Sequence, residues 1–129
     1  MKALIVEDDY LSRTILHRWL IAYGETDVAV DGPQAVRAFR EARAAGKPYD
    51  LICLDIMLPE MDGQAVLRAM RAAETESAQP AKAARVIMTT ALSDRENVLA
   101  AIPQCDAYLV KPIDKEKLIS HLKVFGFAA

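Results

Sequence analysis

The sequence predicts a doubly wound α/β domain, a five-stranded parallel sheet flanked by five helices. Three observations predict it. Short apolar runs alternate with longer segments of helical spacing. Three of the five runs are nearly continuous in apolar residues, as strands covered on both faces must be. Four of them end in residues that carry chemistry, and doubly wound sheets bind ligands beyond the carboxyl ends of their strands.

The first strand is Ala3 to Val6. Asp9 can cap a helix running from about Tyr10 to Tyr23, with Leu11, Ile15, Trp19 and Leu20 as its inward stripe and Gly24 as its stop. Thr26 to Val30 forms the second strand. A second helix follows Asp31-Gly32-Pro33, turns Ala35, Val36, Phe39 and Ala42 inward and ends at Gly46. Leu51 to Leu54 is the third strand. Asp62 and Gly63 open a third helix carrying Val66, Leu67 and Met70, and Thr75 to Ala84, with Ser77, Gln79 and Pro80, reads as a flexible loop. Arg85 to Thr89 is the fourth strand, and Ser93-Asp94-Arg95-Glu96 is a capping box that starts the fourth helix. Ala107 to Val110 is the fifth strand. Asp114 caps the fifth helix, whose apolar face is Leu118, Ile119 and Leu122.

The 129 residues are expected to form one domain over 1–129 with no effector domain. Sixteen Lys and Arg against eighteen Asp and Glu give a net charge of −2, which argues against a dedicated nucleic-acid binder. Two cysteines, Cys53 and Cys105, cannot build a disulfide framework. The apolar run at the N-terminus is too short for a signal peptide or a membrane span, so the expectation is a cytoplasmic chain without membrane insertion.

The strand ends carry Glu7-Asp8-Asp9, Asp55, Thr90-Ala91 and Lys111-Pro112. Two like charges about 4 Å apart at an effective dielectric near 20 repel by about 4 kcal/mol, so converging acids need a counter-charge. Lys111 is one source. A divalent cation is another, and carboxylate oxygens without His or Cys suit Mg²⁺ better than zinc. An Asp beside Mg²⁺, a Lys and a hydroxyl is suited to phosphoryl transfer, with the carboxylate attacking phosphorus.

Four stretches then carry a family resemblance: Ile5-Val6-Glu7-Asp8-Asp9; Leu54-Asp55-Ile56-Met57-Leu58-Pro59-Glu60-Met61-Asp62-Gly63; Thr90-Ala91; and Tyr108-Leu109-Val110-Lys111-Pro112. In this order they span the chain, which resembles the receiver domain of two-component response regulators, of the single-domain, CheY-like kind. The resemblance implies a flavodoxin-like sheet of order 2-1-3-4-5 and a cis bond between Lys111 and Pro112. It makes Asp55 the acceptor of a phosphoryl group from a sensor histidine kinase or a phosphotransfer protein. It implies Mg²⁺ held by Asp8, Asp55 and the backbone carbonyl of Met57, and by Glu7 through water. Thr90 would hydrogen-bond the phosphoryl group, Lys111 would pair with it, and Tyr108 would be the aromatic switch that follows Thr90. The output is an unidentified protein bound in trans at the face of the fourth helix, fifth strand and fifth helix. Beyond phosphorylating and dephosphorylating itself, such a chain is not an enzyme.

This chain departs from the family pattern in places. Glu7 stands where Asp is commoner, and Ile113 where Phe is common. Apolar Met57 and Leu92 occupy the two positions that influence hydrolysis, and are expected to hinder the attacking water. Two other functions use the same parts. A degenerate receiver would act as a scaffold indifferent to phosphorylation, which the intact Asp8, Asp55, Thr90 and Lys111 argue against. A small aspartate-nucleophile phosphatase would need a second Asp where Met57 stands. A dinucleotide-binding domain would need Gly-x-Gly-x-x-Gly after the first strand, which is absent. Asp9 and Asp62 read as caps, Pro59 and Gly63 as loop-shaping residues, Cys53 as inert core, and His17 and His121 as helix-surface residues.

Overall fold

A computed structural model describes residues 1–76, 83–91 and 104–129. Five parallel strands, β1 (Lys2–Val6), β2 (Glu25–Ala29), β3 (Leu51–Asp55), β4 (Arg85–Thr90) and β5 (Ala107–Val110), pair in the order β2-β1-β3-β4-β5. The described helices are α1 (Tyr10–Leu20), α2 (Gly32–Ala44), α3 (Gly63–Thr75) and α4 (Lys115–Phe125). α4 is the fifth helix expected from sequence. The expected fourth, from Ser93, lies outside the described residues together with Leu92 and residues 77–82 of the expected loop.

Strand alternation sorts the apolar runs onto two faces. Leu4, Val6, Ile52, Leu54, Val86 and Met88 pack with Phe39 of α2 and Leu67 and Met70 of α3. Ala3, Ile5, Cys53, Ile87 and Leu109 pack on the other face with Leu16 and Leu20 of α1 and Leu118 and Leu122 of α4. Both faces are covered, which is why these strands read as continuous apolar runs.

The expected caps are present. Asp9 accepts the Ser12 amide at 2.9 Å, Asp62 the Ala65 amide at 2.8 Å, and Asp114 the Glu116 amide at 2.8 Å. α2 and α4 each end in a left-handed glycine, Gly46 (φ 76°) and Gly126 (φ 85°). Beyond them, the Lys47 and Phe127 amides reach back to the carbonyls of Ala42 and Leu122.

Several expectations shift. β2 begins at Glu25 and ends at Ala29, one residue earlier than expected, while β3 and β4 each run one residue further, to Asp55 and Thr90. α1 stops at Leu20, and Ile21 rather than Gly24 caps it. The inward stripe of α1 is Leu16 and Leu20, with Trp19 half-buried, whereas Leu11 is 68% exposed and Ile15 is also exposed. Two apolar rows lie about 100° apart on this helix, and the sheet takes the row led by Leu16. Among the described residues no helix is long and apolar enough to cross a membrane.

Candidate functional site

The carboxyl ends of β1, β3, β4 and β5 meet at one edge of the sheet. Beyond β1 the chain places Glu7, 1% exposed, and then Asp8, which faces solvent. Asp9 is committed to capping α1, as expected. Asp55 closes β3 and is 4% exposed. Lys111 follows β5 directly, and its bond to Pro112 is cis.

Lys111 joins these groups. Its Nζ lies 2.8 Å from Glu7 Oε2 and 3.0 Å from Asp55 Oδ2. Each carboxylate is also held by backbone: Glu7 Oε1 accepts the Asp9 amide at 3.1 Å, and Asp55 Oδ1 accepts the Met57 amide at 3.1 Å. Arg13, in the first turn of α1, donates to the carbonyls of Glu7 (3.0 Å) and Asp8 (3.3 Å) and so fastens the acidic corner. Sequence reasoning passed over Arg13. Its signal was a lone guanidinium one turn into the helix that follows the acids.

Glu7, Asp8 and Asp55 can each offer one oxygen, and these oxygens lie within 4.8 Å of one another. Three carboxylates share this corner with one ammonium, and the carboxyl of Glu7 is raised. Burial, reinforced by the charge of Asp55 and opposed by Lys111, pushes its carboxyl up to about 7. Burial alone would depress the Lys111 ammonium, but Glu7 and Asp55 together outweigh it and hold it above its ordinary value. A cluster of hard oxygens short of positive charge fits a divalent cation such as Mg²⁺.

The other expected residues are nearby but not joined to this network. Thr90 is buried at the end of β4, and its hydroxyl donates to the Ala91 carbonyl at 2.9 Å. Tyr108, 49% exposed, is in register with Met88 on β4, so it shares a sheet face with Thr90 two residues further on. The Met57 side chain is exposed on the loop after β3.

Comparison with known proteins yields one family. The model of the response regulator receiver domain matches residues 3–123. The regulatory protein VanRB of Enterococcus faecalis is 34% identical over 121 residues, covering 93% of this chain and 49% of the relative. The hybrid signal transduction histidine kinase L of Dictyostelium discoideum is 32% identical over 127 residues, covering 97% of this chain and 7% of that kinase. The chain thus spans about half the length of the first of these relatives and a small part of the second. Among solved structures, the receiver domain of the sensor histidine kinase PA1611 from Pseudomonas aeruginosa, with a magnesium ion in its active-site cleft, superposes with a TM-score of 0.78. It is 30% identical and covers 96% of this chain and 95% of that one.

Proposed function

The chain belongs to the response regulator receiver domain family, and from that premise we propose that it is a phosphorylation-controlled switch. Asp55 accepts a phosphoryl group from a histidine of a sensor kinase or phosphotransfer protein. An Asp55 oxygen forms the new O–P bond as the P–N bond to the donor imidazole breaks, and the imidazole nitrogen leaves with the electron pair. The observation that carries this reading is the Lys111 ammonium, seated between Glu7 and Asp55 beside a third acid.

Asp8, Asp55 and the Met57 carbonyl would hold Mg²⁺, with Glu7 acting through water. When bound, the metal supplies positive charge against the equatorial oxygens of the transferring group. The donor set supports this assignment, as does the magnesium ion in the cleft of the PA1611 receiver. Lys111 pairs with a phosphoryl oxygen, and the Thr90 hydroxyl turns from the Ala91 carbonyl to another. Tyr108, on the same face, follows that movement and alters the surface formed by β5 and α4. An output protein binds there in trans.

Intact mass after incubation with acetyl phosphate tests the reading. The expected result is a gain of one phosphoryl group that requires both Mg²⁺ and Asp55, absent in Asp55→Asn. An unmodified wild-type chain, with acetyl phosphate and with phosphorylated histidine donors alike, would overturn it in favour of a scaffold indifferent to phosphorylation.

A further inference from the structure

The Thr89 hydroxyl is fully buried at the end of β4 and has no hydrogen-bond partner among the described residues. A buried orphan hydroxyl is destabilising, so a Val of the same shape would suit a purely structural position better. Its place in the sheet is specific. Thr89 is in register with Asp55 on one side and with Leu109 on the other, and partners in a parallel register present their side chains to the same face. Lys111 lies two residues beyond Leu109 and shares that face. To bring its Nζ within 3.0 Å of Asp55 on β3, the lysine must cross β4, and Thr89 is the β4 residue level with Asp55.

The ammonium has three N–H donors. Asp55 Oδ2 accepts one of them at 3.0 Å, while Glu7 Oε2 pairs with the ammonium at 2.8 Å without a hydrogen bond, so N–H capacity is left without an acceptor among the described residues. A donor short of an acceptor thus crosses a hydroxyl short of a donor. We propose that Thr89 is a positioning residue for Lys111. Its hydroxyl accepts a free N–H once the carboxylates are drawn away to metal and phosphoryl group, and it keeps the ammonium over Asp55. The inference rests on Asp55 being the phosphoryl acceptor.

The test compares Thr89→Val and Thr89→Ser with wild type, measuring modification by saturating acetyl phosphate with Mg²⁺ and thermal unfolding in metal-free buffer. The hydrogen bond at stake predicts modification about three- to ten-fold slower in Thr89→Val, with Thr89→Ser close to wild type. Thr89→Val should melt at or above the wild-type temperature, because it loses an orphan hydroxyl. A structural role would instead lower that temperature. Modification of Thr89→Val at the wild-type rate, or a slowing that Thr89→Ser shares in full, would overturn the inference while leaving Asp55 as acceptor. A wild type that takes up no phosphoryl group would remove the premise itself.

Discussion

A methyl group on Gly63 would overlap the backbone carbonyl oxygen of Asp55 and stand 2.7 Å from the Cα of Ile56. The Gly63 amide donates to the Ile56 carbonyl at 2.8 Å, so the first turn of α3 is pressed directly against the end of β3. The helix can approach this closely only without a Cβ.

Gly63→Ala is therefore expected to cost about 1–3 kcal/mol, since backbone rather than a flexible side chain must yield. The displaced atoms belong to Asp55 and its neighbour, so Mg²⁺-dependent modification by acetyl phosphate should slow as well. Urea unfolding and intact mass on the same preparation measure both effects.

The Glu7 carboxyl titrates near 7 in the folded protein and near 4.5 when unfolded. Between these values the folded state binds more protons, so metal-free stability falls as pH rises from about 4.5 to about 7 and levels off above. The Lys111 shift acts only above its ordinary value of 10.5 and leaves this window untouched. Urea midpoints in EDTA should show the decline in wild type and a flatter profile in Glu7→Gln. Bound Mg²⁺ competes with the Glu7 proton, so its affinity should increase across the same interval.

Burial pushes the Cys53 thiol up to about 12, and burial with the neighbouring Asp106 charge raises that of Cys105. Cys105 is half-buried and Cys53 lies in the core beneath α1. A thiol reagent at pH 7.5 should modify Cys105 slowly and Cys53 only after denaturation. Counting labels per chain by mass, before and after guanidinium, checks this.

Asp114→Ala removes the acceptor for the Glu116 and Lys117 amides at the start of α4. The expected cost is about 1 kcal/mol, read as a lower urea midpoint with an unchanged slope.

Caps and strands were legible because their causes are local. Asp9, Asp62 and Asp114 each act within three residues, and the continuous run Leu51 to Leu54 needs no partner to declare burial on both faces. α1 was misread for a reason its own sequence cannot resolve. Leu11, Ile15 and Trp19 form one apolar row and Leu16 and Leu20 another, and only the docking angle on the sheet decides which is covered. The acids and Lys111 were legible as a group, but the 1% exposure of Glu7 and its direct pairing with Lys111 arise from strand order. Thr89 was passed over beside Thr90 because parity along β4 acquires meaning only once Asp55 and Leu109 are known to flank it.

Lys111 and Asp55 are 56 positions apart in the chain. During synthesis the acids of β1 and β3 emerge well before the lysine does. Until β5 docks on β4, the nascent chain has a negatively charged corner with no ammonium to balance it. The ion pairs between Lys111 and the acids therefore arrive with the last strand.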